Sequence, residues 1–287
     1  MPFAPLLTRF EAQIPSAQAI CDVPLGRRDI LMAVRAPPPL AARLRPDLDP
    51  TLPRASTDRR PASAMSPHRY PEDAIVAIER VIRERRDMRH FIPGSLPEGL
   101  LERLVTAAHR GPSVGYMQPW RFLRVRNLER REALWRLVEA ERRRTAEALP
   151  SRNEEFSTLK VEGIREAAEV LIAALMPNRE RHVFGRRTLP EMDLASAACA
   201  IQNMWLLARA EGIGLGWVSF FDPEELARLL ELPAGARPIA ILCLGPVAEF
   251  PAEPLLESCG WGARLPLSEV LFEERWPPGA GGTPPAY

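Results

Sequence analysis

Cysteine and histidine are scarce in this 287-residue chain, four of each, and neither is clustered. Cys21, Cys199, Cys243 and Cys259 lie far apart without a C-x-x-C pair, and Cys199 and Cys243 sit inside apolar runs. That pattern predicts buried free thiols rather than disulfides or a zinc centre. His68, His90, His109 and His182 show no H-x-x-x-H or E-x-x-H spacing, so no metal is expected. An excess of charge is also missing: 38 basic and 37 acidic side chains leave a formal net charge of +1. No overall field draws the chain to nucleic acid or to an anionic membrane, and any anion site must be local. Apolar runs such as "VLIAALM" and "IAILCLG" are far shorter than the roughly 20 residues of a spanning helix, so no membrane segment is expected. Arg9, Glu11 and Pro15 interrupt the apolar stretch that a secretory leader requires, which points to a cytoplasmic protein.

The common nucleotide and hydrolase motifs are absent as well. "GIGLG" at Gly212–Gly216 is the nearest approach to a dinucleotide fingerprint, but it leads into a strand instead of a helix. There is no P-loop and no G-x-S-x-G elbow, and Ser113 and Ser219 have no histidine at a spacing that suggests a triad.

What is present begins after a long preface. Residues 1–64 are rich in Pro and Arg and show neither helical nor strand period, so they read as a disordered extension. Everything that reads as folded follows Met65, which makes that residue a candidate start. Residues 65–276 form the expected folded domain, and 277–287 read as a solvated tail. The chain is 46% hydrophobic, ample for a substantial core.

"PEDAIVAIERVIRERR" spaces Ile75, Ile78 and Ile82, with Val81 beside them, as an amphipathic helix opening at Pro71. "LPEGLLERLVTAAHR" predicts a second helix, "PWRFLRVRN" a short strand, and "LERREALWRLVEAERRRTAEAL" a mostly solvated helix. The run Arg142, Arg143 and Arg144 on that helix reads as a wet face. "EVLIAALM" predicts a strand, then Asp193 caps a helix that is apolar nearly all round and stops at Gly212. Such a helix belongs inside a domain or at a subunit interface. "LGWVSF" at Leu215–Phe220 and "PIAILCLGPV" predict two more strands around a helix that starts at Asp222-Pro223, and the mixture is α+β.

One cluster stands out. "RERRDMRHF" sets Arg85, Arg86 and Arg89 around Asp87 at the end of the first helix. Arginine forks suit bidentate capture of phosphate, whereas a solvated helix end is the plainer reading of basic residues there. Asp87 weighs against the plainer reading, because a carboxylate at a helix C-terminus opposes the dipole. "GPSVGYMQPWRF" adds a Gly/Pro/Ser loop with Gln118 and Trp120 flanking a proline.

Taken with "LKVEGI", the run from "GRRTLPEMDLAS" through "GWVSFFDPEEL", "IAILCLG" and "GWGARLPLSEVLFEERW", these stretches resemble the nitroreductase-fold flavoproteins, in order from about Ala74 to Trp276. Within them the similarity is to the 5,6-dimethylbenzimidazole synthase branch. The resemblance implies a nitroreductase-like α+β fold, a mixed sheet flanked by helices, and a homodimer with FMN at its interface. It implies that Arg85, Arg86 and Arg89 hold the FMN phosphate and ribityl chain, with Met88 beside them and Arg264 arriving from the C-terminal segment. Ser113 and Leu159 are expected from the partner subunit, while Asp87 and Ser219 match the two positions used over the isoalloxazine. The implied reaction is O2-dependent fragmentation of reduced FMN to 5,6-dimethylbenzimidazole and erythrose 4-phosphate, with NAD(P)H acting only through a separate flavin reductase. Gly262 stands where the family usually has Arg or Lys, and Ala195 where it has Tyr. An NAD(P)H-dependent nitroreductase or flavin reductase, and a flavin carrier without chemistry, are the competing readings.

Overall fold

A computed structural model describes residues 66–277, so the expectations for 1–64 and for the tail beyond 277 lie outside the described residues. Four strands, β1 (Trp120–Arg124), β2 (Glu169–Leu175), β3 (Gly214–Val218) and β4 (Arg237–Gly245), form a sheet in the order β1-β2-β4-β3 with every neighbouring pair antiparallel. A parallel bridge between Asp87 and Leu215 extends the sheet past β3 and makes it mixed.

The continuous apolar runs of β2 and β4 have a simple cause: both faces are covered. Leu171, Ala173, Leu242 and Leu244 turn to one side, against the helices α2 (Leu100–His109) and α5 (Met192–Ala210). Val170, Ile172, Ile241 and Cys243 turn to the other, where Leu134 and Val138 of α3 (Leu128–Glu147), Phe156 of α4 (Asn153–Thr158) and Leu226 of α6 (Pro223–Leu229) meet them. Alternation disappears when neither face is wet. Burial also pushes the Cys243 thiol up to about 12, leaving it protonated and inert.

The helix ends follow local chemistry. Asn127 accepts from the Arg130 N–H to open α3, and Asp222 accepts from the Glu224 and Glu225 N–H groups to open α6. Gly212, at φ 71°, takes the left-handed turn that ends α5. A short α7 (Leu255–Ser258) lies beyond the sheet.

Three expectations need correction. Asp193 does not cap α5: Glu191 occupies that position, and the buried Asp193 carboxylate instead receives Arg179 Nε at 2.9 Å and Arg186 Nη2 at 3.0 Å. β3 ends at Val218, two residues early, because the chain turns away at Ser219. Cys199 and Cys259 are exposed, Cys199 on an α5 face that no described element covers, whereas Cys243 is buried. The expected helix α1 (Glu72–Glu84) forms; none of its residues is buried, and Ile78 and Ile82 are each 55% exposed.

Candidate active site

α1 ends at Glu84, and the extended segment that follows runs along the free edge of β3. Met88 N–H donates to the Leu215 carbonyl at 3.0 Å. Trp217 N–H donates to Asp87 Oδ1 at 3.0 Å, Arg89 Nη2 donates to Asp87 Oδ2 at 2.6 Å and to the Trp217 carbonyl at 2.7 Å, and Trp205 Nε1 donates to the Arg86 carbonyl at 3.1 Å. The approach is possible because residue 216 is glycine: a Cβ there would lie 2.1 Å from the Met88 carbonyl oxygen and 2.7 Å from Arg89 Nη1. Met88 itself turns inward and is a core side chain.

This segment forms the floor of a cavity of about 380 Å³. Arg83, Arg85, Asp87, Arg89 and Arg264 supply charge, while Phe156, Leu159, Val161, Phe220 and Trp261 supply apolar wall. Ring centroids of Phe156 lie 5.8 Å from Phe220 and 6.3 Å from Trp261, an aromatic cluster along that side.

Four of the five lining arginines divide into two kinds. Arg86 is spent on protein: its guanidinium donates to the carbonyls of Arg83, Arg85, Pro251 and Ala252. Arg89 is spent on Asp87 and Trp217, except that buried Nη1 has no acceptor. Arg85 lies over the Trp205 ring, its Cζ 4.5 Å from the centroid, and Arg264 is exposed at the rim. Among the described residues neither Arg85 nor Arg264 forms a salt bridge. Burial lowers the Arg85 pKa, with Asp87 offsetting part of this and the like charges of Arg86 and Arg264 adding to it. Two guanidiniums that repel each other across an open space are an arrangement that an anion relieves.

Asp87 is set against its own ionisation. Protein surrounds it on most sides while water reaches it through the cavity mouth, leaving its side chain 44% exposed. Burial raises its pKa above the ordinary carboxylate value, opposed by Arg89, the Trp217 N–H and Arg85. A carboxyl poised in this way, inside a cleft, is suited to exchanging a proton.

Of the residues singled out in the sequence, the cavity collects Arg85, Arg86, Asp87, Arg89, Leu159 and Arg264. Leu159, expected from a second copy, lines this chain's own cavity because α4 ends at Thr158 and the chain then extends beside Phe156. Ser219 is exposed and immediately precedes the lining residue Phe220. Ser113 lies elsewhere in the chain, its Oγ accepting from the Gln118 N–H at 3.1 Å. That loop holds Tyr116 and Gln118 at φ 54° and 50°, and Tyr116 is 84% exposed. Sequence reasoning missed Phe156, Phe220, Trp261 and Lys160. Lys160 had a signal, being the single lysine in a chain whose other basic side chains are all arginine. Among the described residues no group of His, Cys, Asp and Glu could hold a metal ion, and no helix is long and apolar enough to cross a membrane.

The cavity fits FMN on this chain's own atoms: two unpaired guanidiniums for a phosphate, a buried donor without acceptor, and an apolar slot for a flat ring. The Nitroreductase family model matches residues 82–246, and the chain belongs to that family. It is 37% identical over 195 residues to the 5,6-dimethylbenzimidazole synthase of Rhodospirillum rubrum, covering 66% of this chain and 90% of that one. A protein of the same name from Rhodobacter capsulatus is 38% identical, covering 66% and 93%. Among solved structures, the NADPH:FMN oxidoreductase of Vibrio harveyi superposes with a TM-score of 0.53 at 18% identity, covering 70% of this chain and 79% of that one, which is a likeness of fold.

Proposed function

We propose that this protein is a 5,6-dimethylbenzimidazole synthase, which converts reduced FMN and O2 to 5,6-dimethylbenzimidazole, the lower ligand of cobalamin, with erythrose 4-phosphate as co-product. The observation that carries the reading is the coexistence, in one cavity, of a free arginine pair and a carboxyl held above its ordinary pKa. The names of the relatives in Rhodospirillum and Rhodobacter support it over a reductase or a carrier.

Reduced flavin supplies the electrons that make O2 reactive and also supplies the carbon skeleton of the product. Arg85 and Arg264 bind the phosphate, while Arg86 and Arg89 shape the floor on which the ribityl chain lies. Phe156, Leu159, Phe220 and Trp261 enclose the ring and exclude water. Asp87 accepts and returns a proton at its free carboxylate face, with Arg89 and the Trp217 N–H fixing its orientation. Ser219 offers a hydroxyl beside Phe220 that orients the ring edge. A separate flavin reductase, drawing on NAD(P)H, supplies the reduced FMN.

The protein acts as a homodimer in the cytoplasm. Support comes from apolar surface that the single chain leaves bare: Val76, Ile78 and Ile82 of α1, Met192 and Leu194 of α5, and Leu267, Val270, Leu271 and Trp276 near the C-terminus. Ser113 then reaches a flavin from the second copy. Sedimentation is expected to give about twice the 32.1 kDa chain mass.

The deciding experiment mixes the protein with anaerobically reduced FMN, admits air and follows products by chromatography and mass. Appearance of 5,6-dimethylbenzimidazole as flavin disappears supports the synthase. FMN that reoxidises intact, with steady NAD(P)H turnover or none, replaces it by the reductase or the carrier. Ser219→Gly is expected to retain FMN binding and lose product.

A further inference from the structure

One wall of the cavity is a strap, residues 251–264, and its attachment is unusual. At its entry Arg86 holds the carbonyls of Pro251 and Ala252. At its exit Arg152 stacks on Trp261, its Cζ 3.6 Å from the ring centroid, and donates from Nη1 to the Trp261 carbonyl at 3.1 Å. Glu155 locks the same guanidinium from below, accepting from Nε at 2.8 Å and from Nη2 at 2.6 Å.

Between these two pins the strap is bonded to itself. Among the described residues, the hydrogen bonds of 253–260 stay within the segment: Glu257 and Ser258 N–H donate to Pro254, Cys259 N–H to Leu255, Gly260 N–H to Glu257, and Leu256 accepts from Gly262 N–H. Yet Glu253, Leu255, Leu256, Trp261 and Arg264 all line the cavity. A piece bonded to itself along its middle and held by an arginine at each end is a flap, and at its exit Arg152 on one side and Phe156 on the other set where Trp261, and Arg264 after it, stand.

We propose that Arg152, which lies outside the cavity lining, is a positioning residue: it latches the strap shut by clamping Trp261, and so retains the flavin and holds Arg264 opposite Arg85. The consequence for the flavin rests on the function proposed above, whereas the latch itself does not. A cation on the outer face of an indole, reinforced by a hydrogen bond, is a modest and reversible closure. That suits a wall that must open to admit substrate and release product.

Two readouts test it, both on the full chain. Hydrogen exchange of the 254–262 amides, measured without flavin, is expected to speed up about tenfold in Arg152→Ala, while core amides of β4 keep their rates. Release of oxidised FMN, followed by the return of its fluorescence, is expected to accelerate by a similar factor at an unchanged unfolding midpoint. Arg152→Lys, which restores a cation over the ring but not the paired bonds to Glu155, should recover part of both. Arg144→Ala, on the solvated face of α3, should change neither. Strap exchange that stays at the wild-type rate in Arg152→Ala overturns the latch. If that variant does not fold, wild-type exchange in Arg152→Lys overturns it equally. Faster strap exchange in a protein whose wild type takes up no FMN upholds the latch and refutes the flavin reading instead.

Discussion

The floor of the cavity and its strap wall are built in opposite ways. The floor is stitched to sequence far away: the Trp217 N–H that holds Asp87 lies 130 residues on, and the Arg86 carbonyl accepts from Trp205, 119 residues on. Between residues 253 and 260 the strap is hydrogen-bonded to itself, and its ends meet the body at Arg86, at Arg152 and where the Trp261 ring packs against Phe156. Reacting groups gain from a support that cannot shift, whereas a route for substrate needs a part that can. The difference matches the proposed division, with chemistry at the floor and access at the wall.

The sharpest way to break that division is Asp87→Asn. It should cut 5,6-dimethylbenzimidazole formation by about 100-fold or more while FMN still binds, as measured by product yield beside a binding titration. The wild-type pH profile sharpens the same point. A proton acceptor works when ionised, so a raised pKa moves the acid limb of activity above the ordinary carboxylate range, and activity rises with pH through it. A limb at the ordinary value, or one that persists in Asp87→Asn, removes Asp87 from that role.

Glycines make the next contrast. Gly216→Ala drives a methyl into the Met88 carbonyl and Arg89, and should cost about 1–3 kcal/mol in urea unfolding. Gly262 in the strap has no neighbour within 4 Å of a Cβ, so Gly262→Ala should leave stability unchanged. Equal losses at the two sites would dissolve the distinction between floor and wall. Removing a free guanidinium with Arg85→Ala should weaken FMN binding about tenfold or more, with the yield of product per bound flavin maintained. The smallest effect on binding is expected from Gly262→Arg: open space beside Trp261 accepts the side chain, and an exposed charge should tighten FMN binding about two- to fivefold.

Much of this organisation could be read from the chain. The arginine cluster was legible because its members are adjacent, and β2 and β4 because burial on both faces leaves an unbroken apolar run. The division of labour among the arginines was not. Arg85 and Arg86 are neighbours with the same side chain, and only the return of Pro251 and Ala252, more than 160 residues later, consumes one and spares the other. Trp261 and Phe156 were overlooked for the same reason, since their meeting exists only in three dimensions. Asp193 looked like a helix cap because its spacing suits one, but Arg179 and Arg186 compete for the carboxylate and win. The apolar stripe of α1 was read correctly as a stripe, although this chain alone does not bury it.

The contact between residues 87–88 and Leu215 has a consequence beyond catalysis. β3 is the last strand of its sheet, and a bare strand edge invites another polypeptide to pair with it. The Asp87 bridge and the Met88 hydrogen bond occupy that edge, so the segment proposed to carry the chemistry doubles as its cover. Variants that loosen the floor will therefore be lost first as precipitate. Selection for a soluble protein and selection for a working enzyme act here on the same few residues.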